Sequence, residues 1–243
     1  MKKAFPILAF LTALLLACGT YQALVVAPTE RTMGDLQRIF YYHAPCAWTA
    51  GCLFFVNLVA SIAYLLRKNP RVDALAVSSA EVGVVFCAIV LVTGPIWARP
   101  AWGIWWTWDI RLTTTLVLWL IYVSYLVLRH FSDSAQTAKL AAVLAIFGAL
   151  DMPLVYFSIW FFRTQHPQPV IGGGGSLDPR MLRAFLINLL AFSCLGAMVC
   201  WARYRLEIVK REVEEAEALE SLLEVGPSAA VSKAKTPLRG EAQ

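Results

Sequence analysis

Six apolar runs, each of roughly bilayer-spanning length, dominate the chain: Ala4 to Val26, Pro45 to Leu66, Ala76 to Ile96, Leu112 to Leu128, Leu140 to Trp160 and Ala184 to Trp201. Hydrocarbon offers no partner for an unpaired backbone N–H or C=O. A run of about 17 to 25 apolar residues in lipid must therefore be helical. Composition agrees, with 59 % hydrophobic and only 15 % charged residues, where a soluble domain carries about 25 %. The expected fold is all-α: a polytopic membrane protein with six transmembrane helices and short connections. This excludes a soluble enzyme domain, and the net charge of +5 reads as an orientation signal rather than a nucleic-acid footprint.

Placing the N-terminus in the cytoplasm, as Lys2 and Lys3 suggest, puts fourteen Lys and Arg residues on the inner side and seven on the outer. That is the sense of the positive-inside rule. The seven outer residues, Arg31, Arg38, Arg99, Arg111, Arg163, Arg180 and Arg183, are all arginine, the side chain suited to two-pronged recognition of carboxylates. Residues 1–202 form the expected membrane domain. A charged cytoplasmic helix over 203–225 follows, with Leu206, Val209, Val213 and Ala216 at helical spacing, then a disordered tail over 226–243. Both termini are thus expected in the cytoplasm.

Two features resemble motifs without carrying their chemistry. "GGGG" at 172–175 lacks the strand and the Lys-Ser/Thr of a phosphate loop and reads as a flexible stretch. "LLLACG" around Cys18 resembles a lipoprotein cleavage site, but the apolar run continues to Val26 as a complete span. The six cysteines are scattered and read as packing residues.

Only three histidines occur. His130, beside Arg129 at the inner end of the fourth span, suits a helix C-terminus. His43, in "RIFYYHAPCAW", and His166, in "FRTQHPQP", fall on the outer side and flank "WGIWWTWDIRL" in sequence. Pro100 is well placed to start a short surface helix. On such a helix Trp102, Trp105, Trp106 and Asp109 would share one face at i, i+3, i+4 and i+7, with Trp108 nearby. The segment is either an interfacial aromatic belt or a floor for a flat apolar ligand. Haem meets the combined demands: imidazole for its iron, an aromatic floor, and arginine for its propionates. Arg38 and Arg111 are candidate propionate partners. Asp109 would be repelled by propionates, so it is expected to pair with an arginine or cap a backbone end.

"WGIWWTWDIRLT" closely resembles the tryptophan-rich signature of the cytochrome c assembly family of haem-handling membrane proteins. From "RIFYYHAP" through "DMPLVYFSIWFFRTQH" to "LDPRM" the chain is similar to its short six-span branch, the CcmC type. The resemblance implies that His43 and His166 are axial ligands of the haem iron and that Trp102 to Asp109 presents the haem. It further implies haem b bound as cargo at the periplasmic face of a bacterial inner membrane, and export to a periplasmic haem chaperone. A small single-span helper protein and an ABC-type release complex are the implied partners; no nucleic acid is. A cytochrome c synthetase, a b-type oxidoreductase or a protein carrying haem across the bilayer are the competing readings. The first two call for histidines in mid-span, which this chain lacks; for the third, Asp151 is the intramembrane acid of interest.

Overall fold

The computed structural model describes residues 4–131, 134–162, 164–166 and 177–234. Among these, regular structure is helical: α1 (Ala4–Tyr21), α2 (Phe40–Arg67), α3 (Pro70–Trp102), α4 (Ile110–Phe131), α5 (Ala135–Ala149), α6 (Asp151–Phe161) and α7 (Pro179–Ala234). A π-helical turn, Gln22–Val26, extends α1, and a 3₁₀ turn, Asp35–Ile39, leads into α2. Six stretches are long and apolar enough to cross a membrane, with α5 and α6 together supplying the fifth. The "GGGG" stretch, Arg163 and residues 235–243 lie outside the described residues.

Local chemistry sets the boundaries. Pro70 opens α3 behind Asn69, whose side chain accepts from the Arg71 N–H at 2.9 Å, an Asx-type cap. Ser134 caps α5 through the Thr137 N–H at 3.1 Å. The fifth span breaks at Leu150 because Pro153, in the first turn of α6, has no N–H to return to Ala149, and its ring crowds that carbonyl.

Helices α2 and α3 are longer than their apolar runs. The second begins at Phe40 with Pro45 inside it, and the third continues to Trp102 through Pro95 and Pro100. The expected surface helix starting at Pro100 is consequently not formed. Trp102 ends α3, Gly103 takes φ +79 with its N–H on the Arg99 carbonyl at 2.9 Å, and residues 104–109 run without helical structure. A glycine at C′ adopts this left-handed conformation at no Cβ cost and stops the helix. Helix α7 also passes Gly226, the expected start of disorder, and continues through an alanine-containing stretch to Ala234.

The chain divides into two units, Met1–Tyr204 and Arg205–Gln243. In the first, α2 and α3 form the most extensive pair and α4 packs on α3, α5 and α6. Close approach relies on small residues: a Cβ at Gly83 would lie 2.7 Å from the Phe54 ring, and Phe54 stacks on Tyr122 with centroids 3.9 Å apart. Several polar groups within the spans tie helices together. The Asn57 amide donates to the Ala76 carbonyl at 2.7 Å, and Asn188 donates to the Gly19 carbonyl at 2.9 Å, tying α7 to α1. Arg129 of α4 meets Asp73 of α3 at 2.6 Å with only 8 % and 7 % of the side chains exposed, and Arg203 grips Glu81 through two nitrogens. In the second unit, Glu207–Arg211 and Lys210–Glu214 are (i, i+4) ion pairs on a charged helix.

Candidate functional site

His43 is the fourth residue of α2 and is half-buried. Its Nδ1 lies 2.8 Å from the hydroxyl of Thr93 on α3, and its ring meets Trp97, one turn further along α3, edge-on at 5.8 Å. Phe40 also packs on Trp97, centroids 6.5 Å apart, and stacks on Phe185 of α7 at 5.0 Å. The extension of α2 and α3 beyond their apolar runs is what brings these residues together.

The ring of His43 lies within electrostatic reach of both His166 and Arg111. Arg111 is the second residue of α4 and is itself within reach of Asp109 and of Tyr156 on α6. Its Nη1 is buried without a hydrogen-bond partner among the described residues. Tyr156 also packs against Trp48 of α2, centroids 6.3 Å apart. Starts of α2 and α4, the end of α3 and the segment after α6 thus converge. His130 stands exposed at the far end of α4, about 30 Å from Arg111 by the rise of a helix.

Asp109 connects the tryptophan segment to the His166 segment. Its Oδ1 accepts from the Leu112 N–H at 2.9 Å and caps α4. Its Oδ2 accepts from the Gln165 N–H at 3.0 Å and, more weakly, from the Thr107 hydroxyl at 3.4 Å. Thr164 in turn donates to the His166 carbonyl at 3.3 Å. Both carboxylate oxygens are therefore engaged within the protein.

The tryptophans do not share one helical face. Trp105 and Trp108 are 59 % and 76 % exposed, and Trp102, at the end of α3, is 37 % exposed. Trp106 is half-buried, edge-on to Trp108 at 5.8 Å, and its Nε1, like that of Trp97, has no acceptor among the described residues. Arg38 has partners of its own. Its Nη1 donates to the carbonyls of Ala23 and Ala27, and its Nε to Asp35, so it anchors the end of the first span. Nearby acids are also engaged locally. The Met33 and Thr32 amides hold the Glu30 carboxyl below the usual range, and Arg180 does the same for Asp178.

Sequence reasoning missed Thr93, Tyr156 and Gln165. Tyr156 carried no signal beyond one more aromatic in an apolar run.

Over its first 219 residues the chain matches the family model described as Heme exporter protein C. It belongs to that family. It is 36 % identical to the Heme exporter protein C of Bradyrhizobium diazoefficiens, over 90 % of this chain and 84 % of the relative. The corresponding protein of Haemophilus influenzae is 33 % identical over 87 % of each chain, and that of Escherichia coli K12 is 31 % identical over 91 % and 90 %. The chemistry of the site is compatible with such a cargo. No cluster of three or more His, Cys, Asp or Glu able to hold a metal ion occurs among the described residues. Two imidazoles alone are a donor set for a metal that brings its own equatorial ligands, as haem iron does. The unpaired guanidinium N–H suits a carboxylate, and the exposed indoles suit a flat apolar face.

Proposed function

We propose that this protein binds haem b as cargo at the periplasmic face of a bacterial inner membrane and presents it to a periplasmic haem chaperone during cytochrome c maturation. His43 and His166 serve as the two axial ligands. Trp102, Trp105, Trp106 and Trp108 supply the apolar surface on which the macrocycle rests, and Arg111 receives a propionate. Asp109 holds the tryptophan and His166 segments together, and Arg38 braces the neighbouring span. A small single-span helper and an ABC-type release complex are the proposed partners, the latter in keeping with the name of the relatives. The excess of Lys and Arg on one side of the spans supports cytoplasmic N- and C-termini.

The observation that carries the reading is that His43 lies within electrostatic reach of both His166 and Arg111, from two other parts of the chain, while Asp109 ties the segment of exposed tryptophans to the His166 segment. Protein purified in detergent should carry haem. His43→Ala and His166→Ala should each lose most of it, and His130→Ala should keep it. Full retention in the His43/His166 double variant refutes the assignment. Trp105→Ala and Trp108→Ala should impair haem retention or chaperone loading; normal loading in both returns the segment to an aromatic belt.

A further inference from the structure

We propose that Thr93 is a positioning residue that sets the tautomer of His43, placing the imidazole proton on Nδ1 and leaving the lone pair on Nε2 for the ligand. This rests on the reading of His43 as a haem ligand. The Thr93 hydroxyl has a single hydrogen and two short polar neighbours: the Ile89 carbonyl at 2.7 Å and His43 Nδ1 at 2.8 Å. A carbonyl oxygen only accepts. If the hydroxyl turned its hydrogen to His43, two oxygens would face each other at 2.7 Å with no hydrogen between them. Each short contact receives a hydrogen in one arrangement only: Thr93 donates to Ile89, and His43 Nδ1–H donates to Thr93.

The arrangement is held by the fold. Ile89, Thr93 and Trp97 lie one turn apart on α3, so the helix that provides the acceptor also lays an indole against the imidazole edge. Gly94 stands beside His43 Cε1, where a Cβ would come to ordinary contact at 3.5 Å. Metal-bound histidines commonly donate their second N–H to a protein oxygen, which orients the ring and makes the ligating nitrogen more basic. In this chain the oxygen belongs to a hydroxyl already committed as a donor, so it accepts from Nδ1 and cannot compete for the proton.

The test compares wild type, Thr93→Ser and Thr93→Val as full-length protein in detergent. Haem loss to excess apomyoglobin and the midpoint potential of the bound haem are both measured. Valine keeps the shape and removes the acceptor. It should speed haem loss by about tenfold, the lower end of the usual effect of losing such a partner, and raise the midpoint potential, because a less basic ligand favours ferric iron less. Serine should behave as wild type. Valine overlapping wild type in both measurements, or serine as impaired as valine, overturns the proposal. A wild type that holds no haem refutes the functional reading instead. The tautomer is then read by ¹⁵N NMR of the haem-free protein, tractable with three histidines, and a proton on Nε2 of His43 overturns the inference by itself.

Discussion

Replacing Asp109 separates two tasks that one carboxylate performs. Oδ1 caps α4 through the Leu112 N–H, and Oδ2 holds the Gln165 N–H beside His166. Asparagine caps about as well as aspartate, so Asp109→Asn should preserve the start of α4 apart from a few tenths of a kcal/mol of helix-dipole interaction. Its amide nitrogen, however, would then face the Gln165 N–H, donor against donor. The contact is exposed, so its loss costs about 1 kcal/mol, the net worth of an ordinary hydrogen bond rather than the larger one of a bond to a charged group shielded from water. That lowers the ratio of docked to undocked His166 segment about fivefold. Asp109→Ala removes the cap as well, for a further loss of about 1 kcal/mol. Thermal unfolding in detergent should rank wild type and Asp109→Asn close together and Asp109→Ala below them. Haem retention should instead fall in both variants. Asp109→Asn with wild-type haem retention, or with the melting temperature of Asp109→Ala, refutes the reasoning.

Two further perturbations probe the scaffold. Arg129→Met takes the guanidinium away from the buried Asp73 carboxylate and should destabilise the protein by about 3–5 kcal/mol, read as a lower melting temperature that Asp73→Asn partly restores in the double variant; an unchanged melting temperature would contradict the buried pair. Gly83→Ala drives a methyl into the Phe54 ring and should cost about 1–3 kcal/mol, with Phe54→Leu relieving part of it; a neutral Gly83→Ala would mean that α2 and α3 are free to separate.

The six spans were legible because lipid leaves the backbone one solution and hydropathy reports it directly. Helix ends were less so. Hydropathy stops where apolar residues stop, whereas α2 and α3 continue through prolines and aromatics supported by each other. The periodicity of Trp102, Trp105, Trp106 and Asp109 suggested a helix, yet Gly103 stood inside it, and its left-handed turn is the ordinary mark of a helix end. His43 and His166 could be named from their residue type and side of the membrane. The approach of His43 to His166 and Arg111 and the Asp109–Gln165 link are long-range relations that no local pattern encodes. Arg38, whose charge invited a ligand role, has its Nη1 on carbonyls at the end of the first span and its Nε on Asp35, contacts that sequence alone did not announce.

Near-infrared magnetic circular dichroism and electron paramagnetic resonance of the oxidised wild-type protein read the axial ligands of a haem without altering any side chain. Low-spin iron with two imidazole ligands is the result expected of His43 and His166 on one metal. A high-spin, five-coordinate spectrum, or a ligand field with sulfur or a second ligand other than histidine, would contradict it.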